Sequence, residues 1–395
     1  MNMKNGLICL STVAIIVFCT LNVTTATTGN YSATFHNNAW QTVDRIQIAR
    51  SNPSTGILHW NYITKHVSAS SAAHNGIVYI GSCDHNVYAL DAANGTKIWN
   101  YTTDDIVLSS PTVSHGIVYV GSNDHNVYAL DASSGTKMWN YKTGDVVSSS
   151  PTVGNGLVYV GSRDHDVYAF TMRTTGVVWS YKTENCVASS PTFANDIIYI
   201  GSNDHNVYAL DANIGAKIWD YTTDGIVSSR PAFANGTIYT GSADHNVYAL
   251  DANTGAKVWT YTTRNEVHSS PTFANGMVYV GGWDGYVYAL DARTGGLVWN
   301  YPTGNFVISS PAVSNGIVYI GSADNNIYAF NATIGTKLWN YATGGAVISS
   351  PAVSHGIVYV GSSDHNVYAL DAATGEIVWT YTAGDGVNSS PTVVN

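Results

Sequence analysis

The sequence predicts an all-β fold: an eight-bladed β-propeller of four-stranded antiparallel blades that follows an N-terminal signal segment. Two observations support this prediction. Tryptophan recurs every 40 residues, and each repeat contains four short runs of alternating apolar residues separated by tight turns. Four strands in a unit of about 40 residues are typical of a propeller blade. The eight tryptophans at this spacing are Trp99, Trp139, Trp179, Trp219, Trp259, Trp299, Trp339 and Trp379.

One repeat, Ser109 to Tyr141, shows how the strands are assigned. The innermost strand is predicted at Pro111 to Val113, the second at Ile117 to Val120, the third at Asn126 to Leu130 and the outer one at Lys137 to Tyr141. His-Gly, Asp-His-Asn and Ser-Ser-Gly form the turns between them. No segment has apolar residues at helical spacing over a helical length, which excludes helical repeats of similar period.

The number of blades follows from the second and third strands. Each of the eight second strands ends in a Gly-Ser or Gly-Gly pair that begins at Gly81, Gly121, Gly161, Gly201, Gly241, Gly281, Gly321 or Gly361. A surplus outer strand is predicted at Ile57 to Tyr62 and a surplus inner strand at Ser390 to Val394. We expect ring closure to use one of these two strands. Ser70 to His74 lacks the proline of the other inner strands. The surplus inner strand at Ser390 to Val394 is therefore a candidate to replace this weaker inner strand of the first blade.

The chain divides into a signal peptide at 1–26, an N-terminal extension at 27–56 and the propeller at 57–395. The apolar run from Gly6 to about Val23, followed by small polar residues, is typical of a secretory signal, and we place cleavage near Ala26. An uncleaved membrane anchor is the alternative, because the run approaches the roughly 18 to 20 residues that span a bilayer. We favour cleavage, which predicts a secreted or cell-surface protein.

Composition excludes some classes of protein. Hydrophobic residues make up 45% of the 395 residues and charged residues 11%, which is enough apolar surface for a large core and argues against disorder. The net charge of −10 and the lack of any basic run disfavour nucleic-acid binding. Beyond the signal segment only Cys83 and Cys186 remain, in different repeats, and we expect no disulfide between them. A monomer is the default expectation.

The segment from Ala89 to Trp99, ALDAANGTKIW, resembles the tryptophan-docking repeat of the pyrroloquinoline-quinone-type propellers, Ala-x-Asp-x-x-Thr-Gly-x-x-x-Trp. The resemblance covers residues 57–395. It implies that the aspartate and glycine form the turn before the outer strand and that the tryptophan fills the gap between blades, where its large apolar area is stabilising. The repeat is specific for this propeller superfamily and does not specify a function.

Within that superfamily, some members are dehydrogenases that hold the quinone in the central channel with a calcium ion and often an adjacent-cysteine disulfide. Others are non-catalytic, such as a lipoprotein propeller that assists outer-membrane assembly. This chain has no Cys-Cys pair, no insertion to supply calcium ligands and nearly uniform loops. We therefore favour a non-enzymatic scaffold, without cofactor or metal, that binds a protein or glycan partner at the cell envelope. The alternative is a pyrroloquinoline-quinone-dependent oxidoreductase with its cofactor in the central channel.

Aspartate and histidine recur in the turn between the second and third strands and suggest a ring of metal ligands. Equivalent turns in adjacent blades lie at least about 10 Å apart, whereas metal bonds to nitrogen or oxygen need about 2 Å. We favour turn chemistry, in which Asp accepts backbone hydrogen bonds and His or Asn adopts the left-handed conformation that Gly285 supplies in one repeat. The residues are Asp84, Asp124, Asp164, Asp204, Asp244, Asp284, Asp324 and Asp364, with His85, His125, His165, His205, His245 and His365.

Serine pairs precede each inner strand, and His268 directly precedes one of them, Ser269-Ser270. Sequence neighbours on a strand point to opposite faces, so this His and Ser make no catalytic pair. We expect the serines to line the mouth of the channel and hold water.

Residues that break the repeat collect in the fifth and sixth blades. The interblade linkers and the turns between second and third strands emerge on one face of a propeller, so these residues can converge there. Two arginines, a histidine and aromatic rings suit an anionic or carbohydrate-like ligand. Neutral drift in a redundant repeat is the alternative, which the sequence alone favours. The candidate ligand-binding residues are Arg230, Arg264, Glu266, His268, Trp283 and Tyr286; no catalytic residue is predicted.

Overall fold

The computed structural model describes residues 31–34, 46–47, 49–52, 57–60, 63–64, 70–92, 94–383 and 386–394. The signal peptide predicted at 1–26 lies outside these residues. Every regular element in the described part of the chain is a β-strand, and none of its segments is a helix long and apolar enough to cross a membrane.

Eight four-stranded antiparallel blades follow one another along the chain, as the tryptophan spacing predicts. Each blade uses its strands in sequence order from the channel outward, and a β-bulge interrupts the pairing of the third and outer strands. The strands, blade by blade, are Ala72–His74, Ile77–Gly81, Asn86–Asp91 and Lys97–Thr102; Thr112–Ser114, Ile117–Gly121, Asn126–Asp131 and Lys137–Lys142; Thr152–Gly154, Leu157–Gly161, Asp166–Thr171 and Val177–Lys182; Thr192–Ala194, Ile197–Gly201, Asn206–Asp211 and Lys217–Thr222; Ala232–Ala234, Thr237–Gly241, Asn246–Asp251 and Lys257–Thr262; Thr272–Ala274, Met277–Gly281, Tyr286–Asp291 and Leu297–Pro302; Ala312–Ser314, Ile317–Gly321, Asn326–Asn331 and Lys337–Ala342; Ala352–Ser354, Ile357–Gly361, Asn366–Asp371 and Ile377–Thr382.

A further four-stranded sheet, the closing sheet, joins the two ends of the chain. Its innermost strand contacts the innermost strands of the first and eighth blades, so it completes the ring. Two short strands, Ile46–Gln47 and Ile63–Thr64, pair beside it. The closing sheet consists, from the channel outward, of Thr392–Val394, Tyr31–Thr34, Ala49–Asn52 and Ile57–Trp60.

The closing sheet corrects the expectation that one surplus strand closes the ring. The surplus inner and outer strands are both used, in the same sheet, with two strands from the 27–56 segment between them. The terminal strand does not displace the weaker inner copy, since Ala72–His74 remains paired with Ile77–Gly81 in the first blade. The missing proline in Ser70 to His74 does not prevent this pairing, because the strand begins only at Ala72 and its register is set by the following turn.

Tyrosine and tryptophan join each blade to the next. Tyr79 Oη and Trp99 Nε1 in the first blade both donate to the Ala132 carbonyl of the second, at 3.0 and 2.9 Å. The same pair of bonds recurs at the six following interfaces between sequential blades. Gly135, at φ +70°, lies so close to the Trp99 ring that a Cβ atom there would come within 2.6 Å of it. The docking-repeat glycine therefore makes a left-handed turn and leaves room for the indole of the preceding blade.

The Asp-His turns also hold neighbouring blades together. In the second blade Asp124 accepts hydrogen bonds from the Asn126 backbone N–H at 2.9 Å, the Tyr128 hydroxyl at 2.6 Å and the Asp104 backbone N–H of the preceding linker at 3.0 Å. The six histidines of these turns have φ between +69° and +79°, and Gly285 has +78°. The expected left-handed conformation is thus confirmed, and the aspartates serve as turn and linker acceptors.

The two cysteines that follow the signal segment stay apart. Within the described residues, Cys83 and Cys186 form no disulfide, as their positions in different repeats predict.

Candidate functional site

Serines around the central channel form an interblade hydrogen-bonded belt. The backbone N–H of Ser110 donates to Ser150 Oγ of the next blade at 2.8 Å, and the same bond recurs around the channel at 2.7 to 3.1 Å. The neighbouring serine of each pair, such as Ser109, accepts the N–H of the second-strand glycine of its own blade. These hydroxyls are buried. They therefore support the channel wall, and Ser270, Ser310, Ser350 and Ser390 line its cavity. That they hold water stays a prediction.

Arg230 occupies a belt position in the fifth blade and interrupts it. Its backbone N–H still donates to Ser270 Oγ at 3.1 Å, while its side-chain Nε donates to Thr192 Oγ1 of the fourth blade at 3.2 Å. The side chain lines a channel cavity of about 630 Å³ between the fourth blade and the C-terminal strand. Arg230 is the sole charged residue among the described residues that line this cavity.

The channel lining differs from what a calcium ion needs. Calcium prefers six to eight oxygen ligands, commonly from Asp and Glu carboxylates. The described lining of the cavity consists of Ser, Thr, Pro, Ala, Val and Phe residues with Arg230, and contains no carboxylate. These residues do not fit a calcium site.

On the linker face, which carries the interblade linkers and the turns between second and third strands, the linker 263–271 lies against the turn of the sixth blade. The backbone N–H of Val267 donates to the Ser242 carbonyl of the fifth blade at 3.0 Å, and the Trp283 backbone N–H donates to the Glu266 carbonyl at 2.9 Å. These backbone bonds place the repeat-breaking side chains of the linker beside those of the turn.

Arg264 and Tyr286 form the outer part of this region. Arg264 Nη1 donates to Tyr286 Oη at 2.9 Å, and the guanidinium carbon lies 4.6 Å from the centre of the same ring. The Arg264 backbone N–H donates to Asp284 Oδ2 at 2.9 Å. The same bond from a linker N–H to the turn aspartate fixes linkers in other blades, such as that from Asp104 to Asp124. Asp284 also accepts from Tyr288, whose pKa is raised first by burial and then by this hydrogen bond. The arginine is thereby held over an aromatic face.

Glu266, His268 and Trp283 form the inner part. His268 Nε2 lies 2.7 Å from Glu266 Oε2, and its Nδ1 lies 2.9 Å from Ser228 Oγ in the preceding linker. The His268 side chain is 6% exposed and that of Glu266 is 37% exposed. The rings of His268 and Trp283 are 4.8 Å apart, and Trp283 in turn packs on Phe306 at 5.8 Å.

Five of the six candidate residues are thus brought together, and we call them the linker-face cluster. Arg230 makes its described side-chain contact at the channel wall instead. Sequence reasoning missed Ser228 and Phe306, which complete the surroundings of His268 and Trp283. A signal for both exists, since Ser228 lies one 40-residue repeat before His268 and Phe306 lies one repeat after Glu266. The linker-face cluster consists of Arg264, Glu266, His268, Trp283 and Tyr286.

The blades, the docking tryptophans and the closed ring define a β-propeller built from pyrroloquinoline-quinone-type repeats. The chain belongs to the family described as outer membrane protein assembly factor BamB, whose model matches residues 44–149, 142–225, 203–305 and 278–390. A comparison with curated protein sequences finds no match.

Solved structures share the fold at low sequence identity. The computationally designed Ika8 protein is 20% identical, with a TM-score of 0.66 over 77% of this chain and 96% of its own. BamB from Moraxella catarrhalis is 18% identical, with a TM-score of 0.63 over 79% of this chain and 95% of its own. The quinohemoprotein alcohol dehydrogenase ADHIIG from Pseudomonas putida is 17% identical, with a TM-score of 0.60 over 84% of this chain and 69% of its own. At these identities the likeness shows the fold alone.

Proposed function

We propose that this propeller is a scaffold of the cell envelope that binds a protein partner through its linker-face cluster. The observation that carries the proposal is the gathering of five repeat-breaking side chains at one place on an otherwise regular face. Binding surfaces of proteins are enriched in Trp, Tyr and Arg, and energetic hot spots are built from the same residues. The family description, an outer-membrane assembly factor, supports an envelope location and a protein partner.

The chemistry of the cluster suggests what the partner presents. Arg264 lies over the Tyr286 ring and offers a cation at the rim, while Trp283 and Phe306 supply apolar surface farther in. A protein segment with an acidic side chain next to an apolar one fits this order of groups. A glycan is the second candidate ligand, because aromatic rings and a charged side chain also suit sugars.

Site-directed photo-crosslinking tests the proposal. A photoreactive amino acid at position 286 is compared with the same substitution at position 206, the equivalent and equally half-buried site of a regular blade. We expect a specific crosslinked protein at position 286 only, identified by mass spectrometry of envelope extracts. With that partner purified, the Arg264→Ala/Trp283→Ala variant should bind at least about tenfold more weakly, since hot-spot residues each contribute about 2 kcal/mol or more.

Two results would overturn the scaffold. Equal crosslinking at both positions would show that the cluster has no special role, and unchanged affinity of the double variant for the purified partner would do the same.

Incubation with pyrroloquinoline quinone and calcium, followed by absorption spectroscopy and dye reduction, tests the oxidoreductase alternative. Stoichiometric uptake of the quinone would contradict a cofactor-free scaffold. Binding to a glycan panel without any protein crosslink would replace the protein partner by a sugar.

A further inference from the structure

Ser228, His268 and Glu266 form a continuous hydrogen-bonded array that the scaffold does not require. Ser228 Oγ is 2.9 Å from His268 Nδ1, and His268 Nε2 is 2.7 Å from Glu266 Oε2. Serine nucleophiles are recognised by this order of groups: a hydroxyl bonded to a base, and the base oriented by a third group. Two adjacent interblade linkers supply the three residues, so the array depends on the ring and not on sequence proximity.

The two contacts allow a proton arrangement that activates the serine. With Glu266 ionised and His268 neutral, the carboxylate oxygen only accepts, so the imidazole proton lies on Nε2 and Nδ1 accepts the Ser228 hydroxyl proton. Ser228 is partly exposed, whereas the His268 side chain is only 6% exposed. The serine is therefore partly open to solvent, while its base is held in place against the Trp283 ring.

We propose that Ser228 is an activated nucleophile that hydrolyses acyl esters, with His268 as general base and Glu266 as the residue that positions it. Ser228 Oγ bonds to the ester carbonyl carbon as its proton passes to His268 Nδ1. The ester C–O bond then breaks, and the same proton goes to the leaving alkoxide. Water next adds to the acyl carbon with His268 again taking a proton, the bond to Ser228 breaks as that proton returns to Ser228 Oγ, and the acid leaves.

Trp283 packs beside the array, with its ring 4.8 Å from the His268 ring, and so restricts the imidazole. The rings of Trp283 and Phe306 also favour an apolar or aromatic ester over a charged one. This inference goes beyond the scaffold and does not depend on a protein partner.

A fluorophosphonate probe and p-nitrophenyl acetate test it on the complete chain. We expect the probe to label Ser228, as located by peptide mass spectrometry, and ester turnover to be lost in Ser228→Ala. His268→Gln should lower both rates by about 100-fold or more, the usual contribution of a general base. Glu266→Gln should lower kcat with little change in KM.

Ser148→Ala is the matched control. Ser148 occupies the position of Ser228 two linkers earlier, where Cys186 and Ala188 stand at the positions of Glu266 and His268. This variant should leave labelling and turnover unchanged. Thermal unfolding of each variant separates loss of the array from loss of the fold. Labelling of Ser148 and Ser228 to the same extent, or unchanged rates in a folded His268→Gln variant, would overturn the proposal.

Discussion

The contacts between blades and the linker-face cluster show two different uses of the same repeat. Between sequential blades, Tyr Oη and Trp Nε1 meet one carbonyl of the next blade, as Tyr199 and Trp219 meet Ala252 at 3.0 and 2.9 Å. In the cluster, Trp283 has a ring contact with His268 but no acceptor for its indole N–H within the described residues. The first setting ties two polar atoms to the next blade at each of seven interfaces, whereas the second brings together side chains found in one blade only.

Physical redundancy explains why the exceptions are tolerated. Each blade is held by its own core and by the interfaces on both sides, and stability in such repeat architectures depends mainly on nearest-neighbour contacts. The linker 263–271 keeps the common backbone bonds to its turn, including that of Arg264 N to Asp284. Its side chains at positions 264, 266 and 268 can therefore change without loss of the blade.

The largest difference between the blade contacts and the linker-face cluster is expected at alkaline pH. Burial raises the pKa of five interface tyrosines to about 12, with nearby aspartates adding to the shift in most of them, against about 10 in an unfolded chain. Between pH 10 and 12 the unfolded chain therefore binds fewer protons than the folded one, and stability falls as pH rises. We expect constant stability below about pH 10 and cooperative unfolding as pH rises toward about 12. The residues with this value are Tyr79, Tyr159, Tyr199, Tyr279 and Tyr319.

Circular dichroism recorded together with tyrosinate absorbance checks this expectation. Loss of the near-ultraviolet signal should accompany tyrosine ionisation. Ionisation of all tyrosines near pH 10 in a still-folded chain would show that the interface hydroxyls are not protected.

Tryptophan removal gives the next largest effect. Trp219→Ala takes away a ring that is 7% exposed and its bond to the Ala252 carbonyl, so we expect a loss of about 3 to 5 kcal/mol in the free energy of unfolding. Trp283→Ala removes a partly exposed ring with no such bond, and should cost roughly 1 to 2 kcal/mol. Urea unfolding followed by circular dichroism measures both. Equal losses would refute the distinction between interface and cluster.

The sequence predicted the blades because their signals are local. Trp139, Gly135 and the turn at Asp124 recur at fixed spacing, and each acts within one blade or at its nearest interface. Only the inner and outer strands of the closing sheet were predicted. Its middle strands Tyr31–Thr34 and Ala49–Asn52 were not, because they carry neither the docking tryptophan nor the terminal glycine pair. Their pairing is set by the position of the chain ends in the ring.

The candidate site was predicted in outline from the residues that break the repeat. The sequence placed Arg230 with the cluster, but its belt position turns the side chain toward Thr192 at the channel wall. The contact between Ser228 and His268 joins two linkers, so it appears only once the blades are set side by side. Adjacent residues such as His268 and Ser269 could be judged from strand geometry alone.

Glycine substitutions give the smallest and most specific contrast, because the two positions have similar backbone angles and different neighbours. Gly255, at φ +72°, would place a Cβ atom 2.7 Å from the Trp219 ring. Gly255→Ala combines left-handed strain of about 1 to 2 kcal/mol with overpacking of about 1 to 3 kcal/mol, and we expect a loss of roughly 2 to 4 kcal/mol. Gly285, at φ +78°, would place its Cβ atom 3.1 Å from the Asn305 carbonyl oxygen, and its nearest neighbours are all backbone atoms.

The seventh blade already has Asn325 at the position of Gly285, with φ +73°. Because asparagine tolerates the left-handed conformation, Gly285→Asn should change stability by less than about 1 kcal/mol. Urea unfolding of the two variants side by side measures the difference. If Gly285→Asn proved as costly as Gly255→Ala, backbone angle alone would govern both sites, and the close approach of Trp219 would not explain the docking-repeat glycine. A loss at Gly255→Ala beyond the about 1 to 2 kcal/mol of left-handed strain is what the close approach of Trp219 accounts for.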